Sequence, residues 1–232
     1  MIKHLFIDLD DTLWDTYSNN RSSLEEMYHS HRWCEYFDSF EAFFDIYWPH
    51  NEALWHEYRH GQIDKPTLTL SRFRRPFAGR LELSEDRVAV WNTEFLSITG
   101  SKTQLCPYAL ETVQYLHRYY NLYILSNGFR EVQYAKLMNS GLAPYIDRMI
   151  LSEDAGINKP NKEIFDFALI KAKARKAESV MIGDSWDADI IGAANAGLTS
   201  IWYNPNRREC PDDGKGAPAH VISSLTDLMQ IF

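Results

Sequence analysis

Apolar residues recur in two rhythms along this chain. Short apolar runs at His4 to Leu9, Leu122 to Leu125, Arg148 to Leu151, Val180 to Ile182 and Thr199 to Tyr203 have the length and character of buried strands. Between them the spacing becomes helical. Ala109 to Tyr119 places Leu110, Val113 and Leu116 on one side, and Phe129 to Asn139 runs up to Gly141. Pro160 stands at a first helical position, with Ile164, Phe167, Ala168 and Lys171 following to about Arg175. Asp187 to Ala196 is closed by Gly197. Residues 204–218, with three Pro and two Gly, read as a surface loop, after which Val221, Ile222 and Leu225 to Ile231 close the domain. Strands alternating with helices at this spacing predict an α/β fold, a parallel sheet covered on both faces.

Tyr17 to about Phe95 has a different character. It shows no strand signal and is crowded with rings. Phe40, Phe43, Phe44, Tyr47 and Trp48 fall on one helical face, behind a start signal at Ser39. Pro49 is expected to interrupt or bend that helix, with a second over Asn51 to His60, a third over Thr67 to Ala78, and a fourth from Ser84 to about Ile98. The aromatic stripe reads first as the core of a small helical unit, and some rings as candidates to line a substrate pocket.

Length and charge narrow the picture. A chain of 232 residues suffices for one sizeable α/β domain and a small insert. A net charge of −8, with no compensating basic run, argues against a nucleic acid polymer as partner. Cys34, Cys106 and Cys210 lack metal-ligand spacing and read as reduced, buried thiols of a cytoplasmic protein. No apolar stretch is long enough to span a membrane, and no targeting segment is visible.

The strand ends carry the chemistry. The first strand exits into Asp8, Asp10, Asp11 and Thr12. Two carboxylates ~4 Å apart repel by about 4 kcal/mol at an effective dielectric near 20, so a cation is expected among them. In parallel sheets the ligand crevice lies beyond the carboxyl ends of the strands. The second strand ends in Ser126, Asn127 and Gly128, the fourth in Gly183 and Asp184, and groups far apart in sequence thus converge on one edge. Asp8 is a candidate carboxylate nucleophile toward phosphorus, and Asp10 a candidate acid and base. Thr12 would tie down the turn and is also a candidate phosphate contact. Ser126 offers a hydroxyl, and the N–H groups around Asn127 and Gly128 suit an anionic oxygen. Lys159, at a helix start, is opposed by the helix dipole and so calls for an anionic partner, with Lys162 the lesser rival. Asp184 is a candidate Mg²⁺ ligand and Asp189 a support for the ion's waters. Asp187 could instead cap a helix.

The string Asp8-Leu9-Asp10-Asp11-Thr12 resembles the first motif of the haloacid-dehalogenase-like hydrolase superfamily. Ser126, Lys159-Pro160 and Gly183-Asp184 with Asp189 resemble its second, third and fourth motifs, in order. The resemblance covers nearly the whole chain. It implies a Rossmann-like core, residues 1–16 and 97–232, with its first strand central and a helical cap, residues 17–96, inserted between the first two motifs. It implies that Asp8 is the nucleophile and Asp10 the acid/base. It also implies that Asp8, the Asp10 carbonyl and Asp184 hold Mg²⁺, while Ser126 and Lys159 hold phosphate. The spacing from Asp184 to Asp189 is one residue longer than in some branches. Ser126-Asn-Gly-Phe with Gln133, Lys136-Leu137 and Ser140-Gly141-Leu142, and Leu54-Trp55 with Tyr58, Gly61 and Arg72-Phe73, are similar to the house-cleaning pyrimidine 5′-nucleotidase branch.

The expected activity is therefore Mg²⁺-dependent phosphomonoester hydrolysis of a small phosphorylated metabolite such as a nucleoside monophosphate. Arg72 is a candidate substrate contact, with an ion pair inside the cap as the alternative. Two rivals are carbon–halogen hydrolysis, in which enzymes of this fold lack an acid at the position of Asp10, and a binding protein, which loss of the nucleophile or lysine would signal. Both residues are present here.

Overall fold

A computed structural model describes residues 1–211, 214 and 216–232. Of the loop expected over 204–218, residues 212, 213 and 215 lie outside the described residues. The chain divides into two compact units, residues 1–16 with 103–232, and residues 17–102.

The first unit is built on a parallel sheet of β1 (His4–Ile7), β2 (Asn121–Ser126), β3 (Arg148–Leu151), β4 (Ser179–Gly183), β5 (Thr199–Tyr203) and β6 (His220–Ile222). The strand order is β3-β2-β1-β4-β5-β6, with every pairing parallel. This is the Rossmann-like α/β arrangement. The strands are short continuous apolar runs because both faces are covered. Alternation then divides each run between two cores. Leu5, Ile7, Leu122, Ile124, Val180 and Ile182 join one cluster with Val113 and Leu116. Phe6, Tyr123, Leu125 and Met181 join the other, with Ile164, Phe165 and Ala168. After β1 the chain builds outward through β2 and β3, then returns to place β4 on the other side of β1. The ends of β1 and β4 are thus neighbours where the winding reverses, the place where such sheets bind ligands.

The second unit contains most of α1 (Thr16–Ser30), together with α2 (Phe40–Arg59), α3 (Lys65–Phe77) and α4 (Glu85–Ser101). Ser39, Asp64 and Ser84 cap the last three by accepting from the backbone N–H three residues on. Two readings need correction. Pro49 does not divide α2, which continues to Arg59. Its missing hydrogen bond is outweighed by burial of Phe40, Phe43, Phe44 and Tyr47 on one face. The fourth helix runs to Ser101 rather than about Ile98. The rings form this unit's core: Trp33 lies 4.8 Å from Phe43, 5.1 Å from Phe77 and 5.0 Å from Trp91. Of the thiols, Cys106 is buried, whereas Cys34 and Cys210 are exposed; all three are free. Among the described residues no helix is long and apolar enough to cross a membrane.

Candidate active site

β1 stops at Ile7, and the Asp8 N–H still donates to the Ile182 carbonyl of β4 at 2.9 Å. The chain then folds back sharply. Leu13 and Trp14 both donate to the Leu9 carbonyl, and Asp11 takes a left-handed φ of 57°. This turn sets Thr12 on the loop after β4. The Thr12 hydroxyl donates to Asp184 Oδ1 at 3.2 Å and accepts from the Asp184 N–H at 3.1 Å. Its one proton is thus committed to Asp184, which removes Thr12 from the expected phosphate contacts.

Lys159 sits at the centre, 2 % exposed. Its ammonium donates to Asp8 Oδ1 at 2.8 Å, Asp189 Oδ1 at 2.7 Å and the Leu125 carbonyl at 2.7 Å. Its backbone is clamped by Asn127, whose side-chain amide donates to the Lys159 carbonyl and accepts from its N–H, both at 2.9 Å. The expectation that Lys159 opens a helix is corrected. The next helix, Lys162–Ala172, starts three residues later, and the Lys159–Pro160 bond is cis. What opposes the lysine's charge is the acids. Lys162 is paired with Asp166 at 3.1 Å, one turn along that helix.

Carboxylate oxygens of Asp8, Asp184 and Asp189 all lie within 4.8 Å of one another. The last reaches this place because Trp186–Ile191 forms a π-helical turn, where Asp187 to Ala196 was expected to be α-helical. Ser185 caps the turn by accepting from Ala188, and the Ser185 N–H donates to Asp189 Oδ2 at 3.1 Å. Gly183 makes room for the carboxylate, since a Cβ there would meet Asp189 Oδ2 at 2.1 Å.

One ammonium cannot neutralise three acids, of which Asp8 and Asp189 are buried and Asp184 partly so. Burial pushes the Asp8 carboxyl up, Lys159 pulls it back, Asp189 and Asp10 push again, and the outcome is about 7. Burial, reinforced by Asp189, Asp11 and Asp8, raises Asp184 well above the ordinary carboxylate range. Burial lowers the Lys159 ammonium, but Asp189 and Asp8 outweigh it and hold its pKa above the ordinary value. A buried, all-oxygen donor set with surplus negative charge fits a small hard divalent cation.

Asp10 behaves differently. Its carboxylate turns to Lys136 Nζ at 2.5 Å, Gln133 Nε2 at 2.8 Å and the Thr16 hydroxyl at 3.1 Å. Burial would raise its pKa, but attraction to Lys136 and these hydrogen bonds win and lower it. Ser126 Oγ accepts from the Gly128 N–H at 3.0 Å and from Gln133 Nε2 at 2.7 Å. The Gly128 N–H is therefore used internally rather than offered to an anion.

Gln133 and Lys136 were not assigned roles from sequence. They are polar residues three apart on the helix Arg130–Asn139, buried beside Val132 and Leu137. Polar side chains on a buried helical face are the signal that marks them. Arg72 lies in the core of the helical unit. It is 2 % exposed, its guanidinium is 5.6 Å from the Phe95 ring, and Nε and Nη2 have no hydrogen-bond partner. Among the described residues no carboxylate lies against Arg72, whose interacting neighbour is Tyr47, so the alternative of an ion pair is not found.

A Rossmann-like sheet whose first and fourth strands end in clustered acids, with a lysine between them, gathers the groups that a carboxylate-based hydrolase would need. The haloacid dehalogenase-like hydrolases match residues 2–197, and the chain belongs to that family. It is 32 % identical over 229 residues to pyrimidine 5′-nucleotidase YjjG of Escherichia coli, covering 98 % of this chain and 96 % of that one. Pyrimidine 5′-nucleotidase PynA of Streptococcus pneumoniae is 31 % identical, with 98 % and 93 % covered. The magnesium-bound crystal structure of the HAD-hydrolase YfnB from Bacillus subtilis superposes with a TM-score of 0.87 at 26 % identity, covering 99 % and 98 % of the two chains.

Proposed function

We propose that this chain is a Mg²⁺-dependent phosphomonoester hydrolase that works through an aspartyl-phosphate at Asp8, with nucleoside 5′-monophosphates as its substrate class. The observation that carries the reading is the Lys159 ammonium shared between Asp8 and Asp189, beside Asp184. Asp8, Asp184, Asp189 and the Asp10 carbonyl would hold the cation, which when bound supplies charge neutralisation and polarises a phosphoryl oxygen. Lys159 fixes one oxygen of Asp8, leaving the other to attack phosphorus as the bond to the leaving oxygen breaks. Ser126 steadies a phosphoryl oxygen, and Lys159, whose three N–H donors go to Asp8, Asp189 and the Leu125 carbonyl, does the same by releasing one of them. Water then attacks the phosphorus of the acyl phosphate, giving up its proton and restoring the Asp8 carboxylate. Asp10, held as a carboxylate, is in the state that accepts this proton; to protonate the leaving oxygen in the first step it must part from Lys136 and first take up a proton from solvent.

Residues 17–102 are assigned as the family's cap. Nucleotides are favoured as substrates by the two pyrimidine 5′-nucleotidases that match almost the whole chain. Carbon–halogen hydrolysis is the weaker reading, because Asp10 is present and held by three partners. A panel of phosphorylated metabolites with Mg²⁺ tests the assignment. Pyrimidine nucleoside monophosphates are expected to be hydrolysed with higher kcat/KM than sugar phosphates. Equal or reversed preference would remove the nucleotidase reading and leave the phosphatase one.

A further inference from the structure

A single amide nitrogen joins two groups of the site. Gln133 Nε2 has two protons and two acceptors, Asp10 Oδ2 at 2.8 Å and Ser126 Oγ at 2.7 Å. Gln133 is fully buried, so solvent does not compete for either bond. The amide's orientation is dictated by charge. Asp10 Oδ1 already accepts from Lys136 Nζ and the Thr16 hydroxyl, so the carboxylate is surrounded by donors and the nitrogen, not the oxygen, faces Oδ2. That choice fixes Ser126 as well. With Gln133 Nε2 and the Gly128 N–H both donating to it, Ser126 Oγ spends its acceptor capacity on them, and its own proton points elsewhere. Turned over, the amide would present Oε1 and draw that proton to itself. The native orientation leaves Gln133 Oε1 buried with no partner. A buried carbonyl left unpaired is costly, and the two bonds made by Nε2 are set against that cost.

The side chain also has little freedom to leave. A Cβ at Gly128 would lie 2.3 Å from Gln133 Cδ and Nε2, so the amide fills the space that a larger residue there would need. Lys136, one turn along the helix, holds the other Asp10 oxygen at 2.5 Å and lies 4.1 Å from the centre of the Trp14 ring.

We propose that Gln133 is a positioning residue for phosphate recognition: it ties Asp10 to Ser126 and commits the Ser126 hydroxyl proton to a phosphoryl oxygen of the substrate. This rests on the phosphatase reading above.

The test is a double-mutant cycle on the full chain with Mg²⁺ and an aryl phosphate, using Gln133→Leu, Ser126→Ala and the pair. Gln133→Leu keeps the volume and removes both bonds. Its KM, and its Ki for inorganic phosphate, should rise roughly 10- to 100-fold, the range for losing one hydrogen bond to a charged group. That donor serves substrate and transition state alike, so the phosphate-binding loss appears in KM, while displacement of Asp10 appears separately in kcat. In the double variant KM and Ki should rise no further than with Ser126→Ala alone, because the two residues act through one proton. A structural role for Gln133 would give additive losses instead. Gly128→Ala, which pushes on the same amide, should raise KM and Ki in the same way while unfolding cooperatively like the parent. Additive effects in the cycle, or Gln133→Leu with parental KM and Ki, would overturn the inference alone. A parent protein with no phosphatase activity would overturn the phosphatase reading and this inference with it.

Discussion

The Asp189 carboxylate fills the space in which a side chain at Gly183 would begin: a Cβ there would stand 2.1 Å from Oδ2. Gly183 ends β4, and Asp189 comes back to it through the π-helical turn. The acid is fully buried, so it has nowhere to retreat. Gly183→Ala should therefore destabilise the fold by about 1–3 kcal/mol through overpacking. It should also weaken Mg²⁺-dependent activity, because Asp189 moves relative to Lys159. Urea unfolding with and without Mg²⁺ measures both effects. An alanine variant with parental stability and activity would mean that the β4 exit is looser than described.

Lys159 binds two acids and a carbonyl in the interior. Truncating one member of such a network leaves uncompensated buried charge, at a cost of about 3–5 kcal/mol. Lys159→Met should lose that much stability in metal-free buffer and lose turnover entirely. Adding Mg²⁺ should return part of the stability, since the cation answers the same carboxylates, but none of the turnover. The comparison is made by urea unfolding and phosphate release on the same preparation.

Strand placement and the acids at strand ends were legible because apolar runs and their punctuation are local. β3 and β5 begin and end where the pattern places them. Asp8 and Asp184 could be nominated because a parallel sheet delivers its strand ends to one edge. Lys159 could be nominated as a cation at an expected helix start, and its need for an anionic partner is met by the acids. What escaped is non-local or small in energy. The π-helical turn that swings Asp189 under Gly183 depends on one extra residue per turn, and no residue type announces it. Pro49 should break a helix by local rules, and is overruled by the ring face around it. Helix α1 carries a weak apolar stripe among Asn, Arg, Ser and Glu, so its spacing was not separated from its surroundings. Gln133 and Lys136 share a helical face with Val132 and Leu137, a weak signal whose meaning appears only when Asp10 is brought to them.

Arg72 gives a prediction opposite in sign to that for Lys159. Its guanidinium is buried among rings with two nitrogens unpartnered and no acid against it. Replacing buried charge with a hydrophobe of similar size is often neutral or stabilising, by about 1–4 kcal/mol. Arg72→Met should thus match or exceed the parent's thermal midpoint. If Arg72 also contacts substrate, KM for the preferred nucleotide will rise in the same variant. A large drop in midpoint would show that the guanidinium has partners in solution.

The raised acids make stability depend on pH. Folding lifts Asp8 from an ordinary 3.8 to about 7, and Asp184 well above the same value. Between these limits the folded chain retains protons that the unfolded chain releases, so metal-free stability falls as pH rises. It is greatest below about pH 4 with respect to these groups, and the Asp8 contribution is lost as pH rises through about 7. Mg²⁺ binds the deprotonated acids and should reverse the trend. The rise in thermal midpoint on adding Mg²⁺ is expected to be larger at pH 8 than at pH 5. An equal rise at both would place the cation away from Asp8 and Asp184.

The most direct measurement follows phosphorus onto the protein. The enzyme is acid-quenched during turnover of a phosphorus-labelled substrate with Mg²⁺, digested, and its peptides mapped. We expect label on the peptide containing Asp8, released by hydroxylamine as an acyl phosphate should be, and absent from Asp8→Asn, which should also show no turnover. Phosphate release with no labelled protein at any quench time, or label on another residue, would contradict the mechanism proposed for this site.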